Sequence, residues 1–90
     1  MTDKKRIVRS AVIQMANKVP TEASCEEHRK GMLDAHIPHI EEAAKKGVQI
    51  LCFQEVFTGP YFCPSQDSKW YGLAERIPEG PTTQKMMELA

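Results

Sequence analysis

Ninety residues carrying twelve basic and twelve acidic side chains have no net charge and no basic stripe, which argues against bulk electrostatic binding to nucleic acid or to an anionic membrane. The longest unbroken apolar run, Ile50 to Phe53, falls far short of a membrane span, and the charged start Met1 to Arg6 lacks the apolar segment of a secretory signal, so a soluble cytoplasmic protein is expected. Three cysteines at wide spacings build neither a disulfide framework nor a zinc motif, and reduced thiols are expected.

Ile7 to Met15, centred on Ala11-Val12-Ile13, reads as a first strand, with Gln14 and Asn17 polar where the strand leaves the sheet. Val19-Pro20-Thr21 makes a turn, and a helix starts between Glu22 and Glu26, capped by Thr21 or Ser24. Leu33, Ile37, Ile40 and Ala44 then recur at helical spacing while charged residues fill the other faces, as in a helix laid on a sheet. Glu41 with Lys45 and Glu42 with Lys46 are favourably oriented pairs, and Gly47 stops the helix. Pro38 removes the bond to the Asp34 carbonyl, so a kink or a division into two pieces is expected there. His36 and His39 lie three apart, but with no third ligand nearby they read as surface or core-edge histidines rather than a metal site.

Val48 to Glu55 is almost wholly apolar and ends in a carboxylate, the pattern of a strand buried on both faces of a parallel sheet. Cys52 within it reads as a small core hydrophobe, whereas Cys25 and Cys63 lie near element ends. All six aromatic residues fall between Phe53 and Tyr71. Trp70 and Tyr71 fit a short helix, roughly Ser65 to Glu75, anchored to the body of the protein. Phe57, Tyr61 and Phe62 are expected to wall a pocket over Glu55. Pro81 opens a final helix whose apolar face is Met86, Met87 and Leu89.

Two parallel strands joined by one helix cannot cover both faces of a buried sheet, and the helical pattern from Thr83 to Ala90 has no stop signal. The expectation is an α/β fold in which residues 1–90 are the amino-terminal β-α-β part of a longer single domain. Glu55, at the carboxyl end of the second strand, stands where open α/β sheets bind ligands. Most strand-end glutamates are solvated or paired instead, so position alone assigns no role.

The strand Ala11-Val12-Ile13-Gln14, the helix end Ala43-Ala44-Lys45-Lys46-Gly47, the run Ile50-Leu51-Cys52-Phe53-Gln54-Glu55 and Glu79-Gly80-Pro81-Thr82 together resemble the amino-terminal third of the nitrilase superfamily, the carbon-nitrogen hydrolases. Phe57-Thr58-Gly59-Pro60-Tyr61-Phe62-Cys63, Trp70, Ala74-Glu75 and Gly80-Pro81-Thr82-Thr83 are most similar to its β-ureidopropionase and N-carbamoylputrescine amidase branches. The resemblance implies an α-β-β-α sandwich, a homo-oligomer of two or more chains, a small N-carbamoyl or amide substrate, and no metal or organic cofactor. It also implies a Glu-Lys-Cys triad in which Glu55 matches the glutamate, acting as general base on a thiol that is only a few per cent thiolate near neutrality. Partial burial of Glu55 beside the aromatic segment suits that task. The family's lysine and nucleophilic cysteine belong to later strands; Lys69, Lys85, Cys25, Cys52 and Cys63 do not sit at those motifs. The 90 residues alone are therefore expected to be inactive. The competing expectation is a non-catalytic interaction module. A flavodoxin-like receiver fits less well, because the first strand does not end in paired acidic residues.

Overall fold

The computed structural model describes residues 6–90, so the charged start from Met1 to Lys5 lies outside the described residues. Two short strands, β1 (Ser10–Ile13) and β2 (Ile50–Phe53), flank a long helix α1 (Cys25–Lys45). A 3-10 helix (Ser68–Leu73) and a second α-helix, α2 (Pro81–Leu89), follow. The strands pair in parallel with Ser10 opposite Ile50 and Ile13 opposite Phe53. Strand–helix–parallel strand is the α/β arrangement expected, although both strands are shorter than the segments Ile7 to Met15 and Val48 to Glu55 read as strands. Gln49 reaches β1 before β2 begins, its backbone N–H donating to the Arg9 carbonyl at 2.7 Å.

α1 begins where Ser24 can close a reciprocal cap. The Ser24 hydroxyl accepts from the Glu27 N–H at 3.1 Å, and the Glu27 carboxylate accepts from the Ser24 N–H at 3.1 Å, which satisfies two donors that a helix start otherwise leaves free. The same bonds hold the Glu27 carboxyl below its ordinary value, the Ser24 backbone N–H contributing most. The helix passes through Pro38 as one element; the lost bond is confined to a single turn. Its end is a Schellman motif. Gly47, at φ 74°, donates its N–H to the Ala44 carbonyl, and Val48 donates to that of Ala43. Of the two expected pairs, Glu42 with Lys46 forms, at 3.0 Å on an exposed face.

The buried stripe of α1 is His28, Arg29, Met32, Leu33 and His36, set one turn nearer the amino terminus than the apolar periodicity suggested. Ile37 and Ile40 are only half-buried and Ala44 is exposed. Met32, His28 and His36 are the largest fully buried side chains. The reason is what lies opposite: Trp70 meets the edge of the His28 ring at 5.2 Å, and Phe53 and Phe57 meet His36 at 5.3 and 5.4 Å.

Alternation in both strands turns Ala11, Ile13, Leu51 and Phe53 towards α1 and leaves Ser10, Val12, Ile50 and Cys52 on the other face. The expectation of burial on both faces is corrected for the described residues, in which α1 covers one face only. Val12 is 78% and Ile50 59% exposed. Cys52, expected in the core, is exposed for the same reason. Trp70 is buried as anticipated, its indole N–H donating to the Ser65 hydroxyl at 3.0 Å, but Tyr71 points outward. On α2, Met86 and Leu89 are half-buried and Met87 is exposed. No helix among the described residues is long and apolar enough to cross a membrane.

Candidate active site at the carboxyl edge of the strands

Parallel strands end side by side, so the segments that leave β1 and β2 border a common space. Here that space is a hollow of about 550 Å³, lined by Met15 and Asn17 after β1, Met32 from α1, and Gln54, Glu55 and Val56 after β2. Gly59, Tyr61, Phe62 and Cys63 complete its wall. Glu55, Tyr61 and Phe62 are thus brought together, as the sequence suggested. Phe57 is not among them. It turns inward and stacks on Phe53 at 4.8 Å, closing an aromatic cluster with His36.

The expected partial burial of Glu55 is also corrected: the residue is exposed. Its aromatic neighbours do not cover it, because Tyr61 is itself 75% and Phe62 41% exposed. Tyr61 nevertheless registers the local charge. Its phenol is pushed above the ordinary value, chiefly by the hydrogen bond and charge of Cys63, then by burial and the negative field of Glu55.

A side-chain tie and a backbone strain flank Glu55. The preceding Gln54 donates its side-chain N–H to the Met15 carbonyl at 3.2 Å, tying the end of β2 to the end of β1, while its own amide oxygen is buried without a partner. The following Val56 has φ 55°. A β-branched residue in the left-handed region carries steric strain of about 1–3 kcal/mol, tolerated only where the surroundings enforce it. Such strain is characteristic of sites that hold a side chain in place.

His36 and His39 sit in different surroundings. His36 lies in the core, and because a carbonyl only accepts, its Nδ1 must carry the proton of the 2.6 Å bond to the Met32 carbonyl; His39 is exposed. Among the described residues no group of three or more His, Cys, Asp or Glu side chains could hold a metal ion.

A second polar cluster, which the sequence did not announce as such, is centred on Arg29 and shares no residue with the lining of the hollow. Arg29 is buried on α1 and donates to Glu75 at 2.9 Å, to Glu26 at 2.6 Å and to the Gly72 carbonyl at 3.1 Å. Glu75 also accepts from the Thr82 N–H at 2.7 Å and from the Thr82 hydroxyl, so it caps α2, whose own cap residue Gly80 has no side chain to offer. Burial pushes the Glu75 carboxyl up, but the Thr82 bonds and the Arg29 charge outweigh it and leave the carboxyl below its ordinary value of 4.5. The available signal was an arginine on the inward stripe of a helix, which needs an acidic partner.

The carbon-nitrogen hydrolase profile matches residues 9–90. A beta-ureidopropionase of Arabidopsis thaliana is 35% identical over 85 residues, covering 94% of this chain and 21% of that protein. N-carbamoylputrescine amidases of Solanum lycopersicum and Solanum tuberosum are 32% and 30% identical over 92 residues, covering all of this chain and 27% of each relative. The chain thus spans about a fifth to a quarter of the length of these curated relatives. No solved structure matches it significantly. With 82 of its 90 residues inside that profile, the chain belongs to the carbon-nitrogen hydrolase family.

Proposed function

We propose that the whole protein hydrolyses the carbon-nitrogen bond of an N-carbamoyl β-amino acid or N-carbamoyl amine, with Glu55 as general base. The observation that carries this reading is the placement of Glu55 at the carboxyl end of β2, on the wall of a hollow it shares with Tyr61 and Phe62, in a chain similar along its length to a beta-ureidopropionase. In the proposed reaction Glu55 takes the proton of a cysteine thiol, and the thiolate adds to the carbamoyl carbon. A lysine stabilises the tetrahedral oxyanion. The carbon-nitrogen bond then breaks, the leaving amine takes the proton from Glu55, and a water deprotonated by Glu55 releases the acyl group from sulfur. The lysine and the cysteine come from segments outside these 90 residues, within a single domain built as an α-β-β-α sandwich. The alternative of a non-catalytic interaction module draws no support from the comparisons.

The test is Glu55→Gln in the whole protein, assayed for ammonia release from N-carbamoyl-β-alanine and N-carbamoylputrescine. Turnover is expected to fall by at least about a hundredfold, because a positioned general base is worth that much, with an unchanged circular dichroism spectrum. Retained turnover on a substrate that the wild-type protein hydrolyses refutes the role of Glu55.

A further inference from the structure

The residues on either side of Glu55 are more constrained than the glutamate itself. On the amino-terminal side Gln54 is tied to the Met15 carbonyl. On the carboxyl-terminal side Phe57 is packed between Phe53 and His36. Two residues further on, Gly59 is so close to Leu73 that a Cβ built on it would lie 2.6 Å from the leucine Cδ1. Glu55 and Val56 are therefore the exposed apex of a turn whose two legs are anchored in the body of the molecule.

Between those anchors Val56 takes φ 55°, a conformation that glycine adopts without penalty and valine does not. Valine is also stiff at χ1, and its side chain lines the same hollow as Glu55. We propose that Val56 is a positioning residue: held in the left-handed region by the Gln54 and Phe57 anchors, it restricts the turn and fixes the Glu55 carboxylate over the hollow. This rests on the reading of Glu55 as the general base. The physical content is preorganisation, since a base confined to one orientation needs no reordering when the thiol proton is transferred. A glycine at position 56 removes the strain but widens the range of orientations open to the neighbouring peptide and to Glu55.

The experiment compares Val56→Gly and Val56→Ile in the whole protein, beside wild type and Glu55→Gln. For Val56→Gly, thermal stability is expected to stay level or rise while kcat falls roughly tenfold to a hundredfold, the scale of a small misplacement of a catalytic group. KM should stay within about twofold, because the loss is specific to the transition state. Val56→Ile keeps the β-branched restriction and should lose clearly less kcat than Val56→Gly; an equal loss in the two variants overturns the proposal. Wild-type kcat in Val56→Gly overturns the proposal, as does a parallel loss of stability and activity in that variant, which would mark a purely structural role. If Glu55→Gln is inactive while Val56→Gly is fully active, the base assignment stands and the positioning role fails. If Glu55→Gln is active, the base assignment itself fails. Crystal structures supply a readout that does not depend on activity: Val56→Gly should show the Glu55 carboxylate in more than one orientation, and a negative φ at Val56 in the wild-type protein ends the proposal.

Discussion

Gly47 shows how one residue's conformational freedom determines where a helix stops. Its φ of 74° lets the N–H groups of Gly47 and Val48 turn back onto the last carbonyls of α1, and the chain then reverses into β2. A Cβ at this position would approach only the Arg9 guanidinium, at an ordinary 3.6 Å, so the cost of substitution lies in the backbone alone. Gly47→Ala is expected to lower stability by about 1–2 kcal/mol, read as a lower urea midpoint with an unchanged slope. Val56 is the opposite case, a left-handed residue without glycine's freedom, and its position beside Glu55 gives that strain a place in the proposed chemistry.

The Arg29–Glu75 cluster ties α1 to the 3-10 helix through the Gly72 carbonyl and to α2 through Thr82. Its charges are removed from most of the solvent, the two side chains being 7% and 13% exposed, so breaking the cluster leaves an uncompensated buried group. Arg29→Met is expected to cost about 3 kcal/mol, near the lower end for loss of one partner of a buried pair. The pH dependence follows from the lowered Glu75 carboxyl. A carboxyl whose folded-state value is depressed contributes stability above its unfolded value and loses that contribution as pH falls through the folded value. Urea unfolding of the wild-type protein should therefore show stability declining as pH drops below 4.5, and Glu75→Gln should flatten that decline. An undiminished acid slope in Glu75→Gln would assign the loss to other carboxylates.

Among the described residues, apolar side chains lie open on the sheet and beside α2. Those on the outer face of the sheet are Val12 and Ile50. Those beside α2 border a groove of about 390 Å³ between α1, β2 and α2, lined by Ile40, Leu51, Phe53, Met86 and Leu89. The sandwich proposed for the whole protein would cover the sheet face. Residues 1–90 taken alone should bind a hydrophobic dye such as ANS, and replacing both Val12 and Ile50 by Thr should reduce that fluorescence. Equal fluorescence in the double variant would locate the dye in the groove instead.

Local chemistry was enough to place the helix, to narrow its cap to Thr21 or Ser24, and to place its Gly47 stop, the two parallel strands and the Pro81 start of α2, because each depends on residues within a few positions of one another. The Glu55 edge was legible for a related reason: an apolar run ending in a carboxylate puts that carboxylate at the end of a strand. What the segments do to one another was not legible. Phe57 turned from the hollow to stack on Phe53 and meet His36 edge to face, and Cys52 became exposed because α1 covers the other face of a period-two strand. Arg29 was drawn inside by an acid 46 residues away, and Val56 was forced into a left-handed turn that no local preference of valine favours. Each of these outcomes depends on contacts between residues distant along the chain, and no pattern confined to a short window carries that information.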